Sequence, residues 1–156
     1  MVWIKRLMIG SAVIVVGIAG WLWLTMLSPW FYERPSHLPA IEPRTHHVFV
    51  YGTLRYAPVR WVVMGASGNP QPAILEGFKR QRLDLAPNED AQTKGLRLEV
   101  TPQQLARLDR YERLGIRYER VQQTLADGST AWVYVRLPTL SQLLTPSPDQ
   151  WVALVP

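Results

Sequence analysis

A short apolar segment that ends in a glycine constrains the fold of this chain more than any other stretch. Residues 46–55 read HHVFVYGTLR, and residues 48–51 have the β-branched and aromatic composition of a buried strand. Gly52 follows, where a residue without a Cβ can turn the backbone. Successive backbone N–H groups after such a strand can point in one direction and bind a carboxylate or an oxyanion. Composition alone favours the simpler interpretation, a core strand followed by an ordinary turn.

A second constraint lies near the N-terminus, where residues 7–27 carry no charged side chain. A helix of this length measures about 31 Å, close to the hydrocarbon thickness of a bilayer. We therefore expect residues 1–28 to form a single transmembrane anchor. A cleaved signal peptide and a core helix are the alternatives. The segment ends in Trp21-Leu22-Trp23-Leu24 without a small-x-small cleavage site, which disfavours the signal peptide.

The charges beside this segment predict its orientation. Lys5 and Arg6 immediately precede it, whereas residues 29–34 read PWFYER. Because positive clusters stay on the cytoplasmic side, we expect a cytoplasmic N-terminus and a folded domain on the non-cytoplasmic side. The expected localisation is that of a single-pass membrane protein.

Prolines separate the apolar segment from the rest of the chain, at positions 29, 35, 39 and 43. They disrupt helix and strand and favour extended backbone, so residues 29–44 are expected to be a spacer. A proline-rich ligand for another protein is the alternative, but no specific motif supports it. Residues 45–156 are expected to form one domain.

Within this domain the pattern alternates between strands and short helices. Strands are predicted over residues 73–85, 95–100, 118–125 and 129–137, a polar loop over residues 86–94, and a short closing helix over residues 140–144. Asp127-Gly128 predicts a two-residue hairpin turn, which would pair Val121 with Tyr134.

A helix with a well-marked start is predicted after residue 100. Thr101 is its N-cap, Pro102 occupies the first helical position, and Gln104 completes a capping box. The helix is expected to run to about Arg113 and to be stopped by Gly115.

One carboxylate on this helix lies where an apolar side chain is expected. At about 100° per residue, Glu112 falls within the apolar stripe and Asp109 lies at its edge. A buried carboxylate costs several kcal/mol unless it is protonated or hydrogen-bonded, and burial raises its pKa. Glu112 is therefore a candidate general acid or base. The alternative is a structural ion pair with Arg117 or Arg120.

Three blocks of sequence then occur in a characteristic order. They are Tyr51-Gly52-Thr53-Leu54 behind the apolar strand, Leu108-Asp109-Arg110-Tyr111-Glu112 at the end of the helix, and Tyr118-Glu119-Arg120 at the start of a strand. In this order they resemble the γ-glutamylcyclotransferase / AIG2-like family, over roughly residues 48–135. Residues 55–58, which read RYAP, depart from the Gly and Asn often found there in the family. This departure concerns the part of the site that faces the leaving amine.

The resemblance implies an α+β fold, a small mixed β-barrel-like domain with short flanking helices. It also implies an enzyme without a cofactor that cyclises a γ-glutamyl small molecule to 5-oxoproline and releases an amine or amino acid. By resemblance, Glu112 is the catalytic residue, and the substrate-binding residues are Tyr51, Gly52, Thr53, Leu54 and Tyr118. A noncatalytic membrane-tethered domain of the same fold, which binds a ligand or partner, is the alternative.

Composition argues against several other functions. The chain has no cysteine, which removes disulfides and thiolate zinc sites, and the adjacent His46 and His47 point to opposite faces of a strand. We therefore expect no metal site. The net charge of +5 comes from arginines interleaved with acids, so no nucleic-acid partner is expected.

Overall fold

The computed structural model describes residues 2–26, 32–82 and 84–138, beginning with one long helix. This helix, α1, spans Val2–Met26. Over Trp3–Trp21 its mean hydropathy is 1.6, so it is long and apolar enough to cross a membrane. A signal sequence or a buried helix meets the same two criteria.

The remaining elements form an α+β fold around one five-stranded sheet. The strands are β1 (His46–Val50), β2 (Gln71–Gln81), β3 (Asp84–Val100), β4 (Tyr118–Thr124) and β5 (Thr130–Arg136). Their order across the sheet is β2-β3-β1-β5-β4, with β1 antiparallel to β3 and parallel to β5. The two edges approach each other where Leu75 bridges to Leu125, so the sheet curls into a half-barrel. The predicted α+β fold is confirmed.

Short helices cover one face of this sheet. A 3₁₀ turn (Gly52–Arg55) and α2 (Ala57–Met64) follow β1, and α3 (Pro102–Glu112) follows β3. Val48 and Val50 of β1 pack in a cluster with α2 and α3, whereas Phe49 packs in a second cluster with Leu75 and Val133. Because alternate side chains enter the two clusters, β1 is buried on both faces, as its apolar composition predicts.

Helix α3 begins as predicted and ends slightly earlier. The Thr101 hydroxyl accepts a hydrogen bond from the Gln104 N–H at 3.3 Å, and the Gln104 side chain accepts one from the Thr101 N–H at 2.9 Å. The helix ends at Glu112 because Arg113 adopts a left-handed conformation, with φ 53°. The prediction that Gly115 ends the helix is therefore wrong. Glu112 is the last residue of α3.

The predicted polar loop over residues 86–94 is wrong, because this segment belongs to β3. It pairs with β2 in a long hairpin, with Phe78 opposite Pro87 and Glu76 opposite Gln92. The register shifts between these two pairs, and the side chains of residues 87–90 are exposed. Residues 86–87 and 92–94 pair with β2, and residues 88–91 form the irregularity between them. The exposure of residues 87–90 explains the polar sequence that favoured a loop.

The predicted register of the β4–β5 hairpin is wrong by one residue. Val121 lies opposite Val133, and Tyr134 lies opposite Arg120. The Leu125 N–H donates to the Ser129 carbonyl, so three residues rather than two form the turn, and Gly128 adopts φ 79°. A three-residue turn that ends in a left-handed glycine shifts the pairing by one position relative to a two-residue turn.

The expected spacer does not stand away from the domain over its described part. We call residues 32–41 the strap. The Tyr32 hydroxyl donates to the Leu114 carbonyl at 2.9 Å, and Leu38 and Ile41 pack on the cluster beneath α3. Residues 29–31 and the closing helix expected at residues 140–144 lie outside the described residues. The domain boundary at residue 45 stays a prediction.

Candidate active site

A cavity of about 170 Å³ opens where β1 ends. The end of β1, the 3₁₀ turn, the last turn of α3, the start of β4 and one residue of β5 surround it. Its lining residues are Phe49, Val50, Tyr51, Gly52, Thr53, Leu54, Tyr111, Glu112, Arg117, Tyr118 and Tyr134. All six residues named from the sequence therefore lie around one cavity. Phe49, Val50, Tyr111, Arg117 and Tyr134 are lining residues that the sequence interpretation did not include.

The backbone at the end of β1 turns sharply into this cavity. Tyr51 is extended, and Gly52 then adopts φ 70°, a left-handed conformation that side chains with a Cβ rarely take. The 3₁₀ turn starts at Gly52, and the first N–H groups of a helical turn have no partner within it. Such groups suit an anionic ligand, which is the function predicted for this stretch.

Glu112 lines the same cavity from the C-terminal end of α3. Its pKa is raised to about 7, mainly because burial disfavours the charged form, and the nearby Asp84 carboxylate raises it further. Arg117 partly offsets this rise. Neither Arg117 nor Arg120 forms an ion pair with Glu112, so the structural pair considered from the sequence does not form. A partly buried carboxylate with a pKa near neutrality can accept and return a proton.

Two tyrosines complete the wall of the cavity. The Tyr118 hydroxyl donates to Asp84 Oδ1 at 2.7 Å, and the Tyr51 hydroxyl donates to the Tyr134 carbonyl at 2.8 Å. Burial and the Asp84 carboxylate raise the pKa of Tyr118 to about 12, and burial likewise raises the pKa of Tyr51. Both phenols are therefore protonated at neutral pH, and their oxygens can accept a hydrogen bond from a ligand.

Asp84 is a partner that the sequence interpretation missed. It begins β3, and its second carboxylate oxygen accepts a hydrogen bond from Arg136 at 2.6 Å. Burial of Asp84 opposes ionisation, but the hydrogen bonds from Tyr118 and Arg136 outweigh it and hold its pKa below the usual value. Nothing in the local sequence marks this residue, because its partners lie 34 and 52 positions away along the chain.

Asp109 is not at the edge of the apolar stripe but fully buried, which corrects the sequence prediction. Arg120 Nη1 donates to its two carboxylate oxygens at 2.8 and 2.9 Å, and the Tyr134 hydroxyl donates to Oδ1 at 2.6 Å. Arg34 of the strap lies 3.7 Å away. Burial raises the pKa of Asp109, while these partners oppose the rise. Asp109 is fully buried, whereas Glu112 at the end of α3 is only partly covered.

Comparison with known proteins identifies the fold. Residues 48–153 match the sequence profile of a family described as gamma-glutamyl cyclotransferase, AIG2-like. The chain belongs to this family. The resemblance drawn from the three sequence blocks is thereby confirmed. No curated protein matches the chain.

Solved structures place the AIG2-like domain among known folds. The Arabidopsis thaliana protein At3g28950.1 has 21% identity and a TM-score of 0.54, over 75% of this chain and 78% of that chain. The Arabidopsis thaliana protein At5g39720.1 has 27% identity and a TM-score of 0.53, over 70% and 82%. An AIG2-like protein from Mus musculus has 23% identity and a TM-score of 0.50, over 65% and 84%. These likenesses describe a shared fold.

Proposed function

We propose that this AIG2-like domain cyclises γ-glutamyl compounds to 5-oxoproline and releases an amine or amino acid. The observation that carries the proposal is Glu112, a carboxylate with a pKa of about 7 that shares a cavity with the backbone after β1. A binding domain of the same fold would have no need of a group with this pKa at this position. Family membership supports the same chemistry.

In this proposal the cavity holds the glutamyl arm in a folded conformation. The N–H groups of residues 52–54 bind the α-carboxylate, and the α-ammonium group faces Glu112 and Tyr118. The attacking nitrogen and the γ-carbonyl carbon belong to the same molecule, so fixing their geometry supplies much of the rate enhancement. Tyr51 and Tyr118 are neutral acceptors that orient this arm, since each phenol donates its only proton to a group of the protein.

Glu112 moves the protons of the reaction. Its carboxylate takes one proton from the α-ammonium group, and the freed amine attacks the γ-carbonyl carbon, forming the new N–C bond. As the original C–N bond breaks, Glu112 passes protons from the ring nitrogen to the leaving nitrogen. The three protons of the ammonium group end as one on 5-oxoproline and two on the leaving amine, and Glu112 returns to its carboxylate form. No cofactor enters this scheme.

We also propose that residues 1–28 anchor the chain in a membrane, that residues 29–44 connect the anchor to the domain, and that residues 45–156 form the domain outside the cytoplasm. The apolar composition of α1 and the position of Lys5 and Arg6 before its apolar part support this topology. A reporter fused after Pro156 that is active only when exported should be active. Activity of a cytoplasm-only reporter at that position would reverse the orientation, and release of a processed domain would replace the anchor with a signal peptide.

The function is tested by incubating the full-length protein, purified in detergent, with a panel of γ-glutamyl amines, amino acids and peptides. We expect stoichiometric release of 5-oxoproline and of the leaving amine from at least one compound. A folded protein that binds members of the panel without releasing 5-oxoproline would instead be the noncatalytic ligand-binding domain.

A further inference from the structure

A second cavity adjoins the first and is separated from it by the 3₁₀ turn. Its volume is about 500 Å³, and it is lined by Gly52, Thr53, Arg55, Tyr56, Arg80 and Leu96. Gly52 and Thr53 line both cavities. A ligand that places its glutamyl arm in the first cavity can therefore extend across these two residues into the second.

The second cavity is positively charged. Arg55 reaches it from the 3₁₀ turn and Arg80 from β2, and no carboxylate is among its lining residues. Within the described residues, neither arginine forms an ion pair. Arg80 is also close enough to the first cavity to oppose part of the rise in the pKa of Tyr51. Arg80 Nε donates to the Arg82 carbonyl at 2.8 Å, and no carboxylate neutralises either guanidinium group. Two cations from separate elements thus line one space.

Solvated arginines are common on protein surfaces, and both of these side chains are exposed. Their convergence beside a shared wall distinguishes them from isolated surface charges. Arg55 is also the last residue of the 3₁₀ turn whose Gly52 and Thr53 line both cavities.

We propose that the second cavity binds the leaving group of the substrate, and that Arg55 and Arg80 select leaving groups that carry a carboxylate. The preferred substrates are then γ-glutamyl amino acids or peptides rather than γ-glutamyl amines. The planar guanidinium group forms paired hydrogen bonds with a carboxylate, whereas an amine or a neutral amide gains no such contact. This inference rests on the proposed cyclotransferase function.

The test compares two compounds of nearly equal size, γ-glutamylglycine and γ-glutamylglycinamide, on the full-length protein. They differ by one negative charge on the leaving group. We expect kcat/KM for γ-glutamylglycine to be on the order of 10-fold higher, because charge-assisted hydrogen bonds persist at a partly solvated site. Raising the ionic strength should reduce the preference, since exposed charges are screened by salt.

Two double variants test whether the preference for γ-glutamylglycine depends on the second cavity. Arg55→Gln with Arg80→Gln should abolish it. Lys79→Gln with Lys94→Gln removes the same charge from the β2–β3 hairpin, at exposed residues that do not line either cavity, and should leave the preference intact. Equal kcat/KM for the two compounds in the unmodified protein, or a preference that survives the arginine double variant, would overturn the inference.

Binding separates this inference from the proposed function. The affinities of both compounds for the Glu112→Gln variant can be measured by calorimetry without turnover. We expect this variant to bind γ-glutamylglycine more tightly than γ-glutamylglycinamide, and the difference to disappear when Arg55→Gln and Arg80→Gln are added to it. That result supports the anionic leaving-group site even if no compound is cyclised. Cyclisation of both compounds at equal rates with equal affinity would overturn the site and leave the cyclotransferase function standing.

Discussion

Helix α3 carries two carboxylates, three residues apart, whose environments are opposite. Asp109 is fully buried and accepts hydrogen bonds from Arg120 and Tyr134. Glu112 faces a cavity, has a pKa of about 7, and pairs with neither Arg117 nor Arg120 in the described part of the chain. Both carboxylates lose hydration, but only Asp109 receives partners that replace it. A desolvated group with partners stabilises a fold, whereas one without them is available for chemistry.

Tyr134 nevertheless links the buried Asp109 to the cavity that Glu112 faces. Tyr134 donates to Asp109 through its hydroxyl, accepts from Tyr51 through its carbonyl, and lines the cavity beside Glu112. Asp109 and Arg120 therefore hold Tyr134, one wall of the site, in place without facing the proposed substrate. We therefore expect substitutions of Glu112 to reduce turnover and substitutions of Asp109 to reduce stability.

Glu112→Gln should produce the largest effect on activity. The amide keeps the size and hydrogen-bonding capacity of the side chain but cannot exchange a proton, so kcat should fall by about 10²- to 10⁴-fold. Thermal unfolding should be unchanged or shifted upward, because a desolvated charge is removed. Glu99→Gln is the matched control, since Glu99 is exposed and pairs with the start of β1, far from the cavity. Unfolding of the Glu112 variant with unchanged activity per folded molecule would make Glu112 a structural residue.

Asp109→Asn should produce the opposite pattern. It leaves Arg120, whose side chain is only 9% exposed, without its counter-charge, and the free energy of unfolding should fall by about 3–5 kcal/mol. Activity per folded molecule, measured below the unfolding temperature, should change far less than in Glu112→Gln. Replacing both partners, Asp109→Leu with Arg120→Met, should recover only part of the stability, because Arg120 is no longer a buried unpaired charge but the Tyr134 hydroxyl and Arg34 still lose their acceptor. A loss of turnover as large as that of Glu112→Gln in the folded Asp109→Asn protein would contradict the comparison.

Stability and activity should depend on pH in opposite directions as Glu112 ionises. Its pKa in the folded protein, about 7, lies above the ordinary value of 4.5, so its contribution to stability is fully present below pH 4.5 and is lost as the pH rises through about 7. Activity should rise over the same window, since the base must be ionised, and kcat/KM should fall about tenfold per pH unit below pH 6. Comparing wild type with Glu112→Gln isolates both trends. A flat kcat/KM profile between pH 5 and 8 would exclude Glu112 as the base.

Tyr134→Phe should produce the smallest effect. It removes one hydrogen bond to Asp109 and leaves both contacts from Arg120 Nη1, so the free energy of unfolding should fall by about 1–3 kcal/mol. The Tyr51 hydrogen bond should persist, because it is made to the backbone carbonyl. Substrate KM should therefore change little. A large rise in KM with no loss of stability would mean that the Tyr134 hydroxyl contacts the substrate.

The predictions made from local patterns are largely confirmed. The composition of residues 48–51 predicted a buried strand, and Thr101 and Gln104 predicted the capping box that starts α3. The α+β fold and the family followed from three short blocks in order. These signals depend on neighbouring residues, so they can be read along the chain. The roles of Tyr51, Gly52, Thr53, Leu54, Glu112 and Tyr118 remain predictions, although the fold gathers them around one cavity.

Tertiary structure alone decided the rest. Helical periodicity predicts that Glu112 is more buried than Asp109. In the structure Asp109 is fully buried beside Arg120, whereas Glu112 at the end of α3 lines the cavity. The polar segment at residues 86–94 belongs to β3 because β2 pairs with both of its ends. The strap lies on the domain because Tyr32 reaches Leu114. Asp84 joins the site through residues 34 and 52 positions away. Burial and pairing depend on which distant groups approach, and a periodic pattern specifies a face of an element but not what covers it.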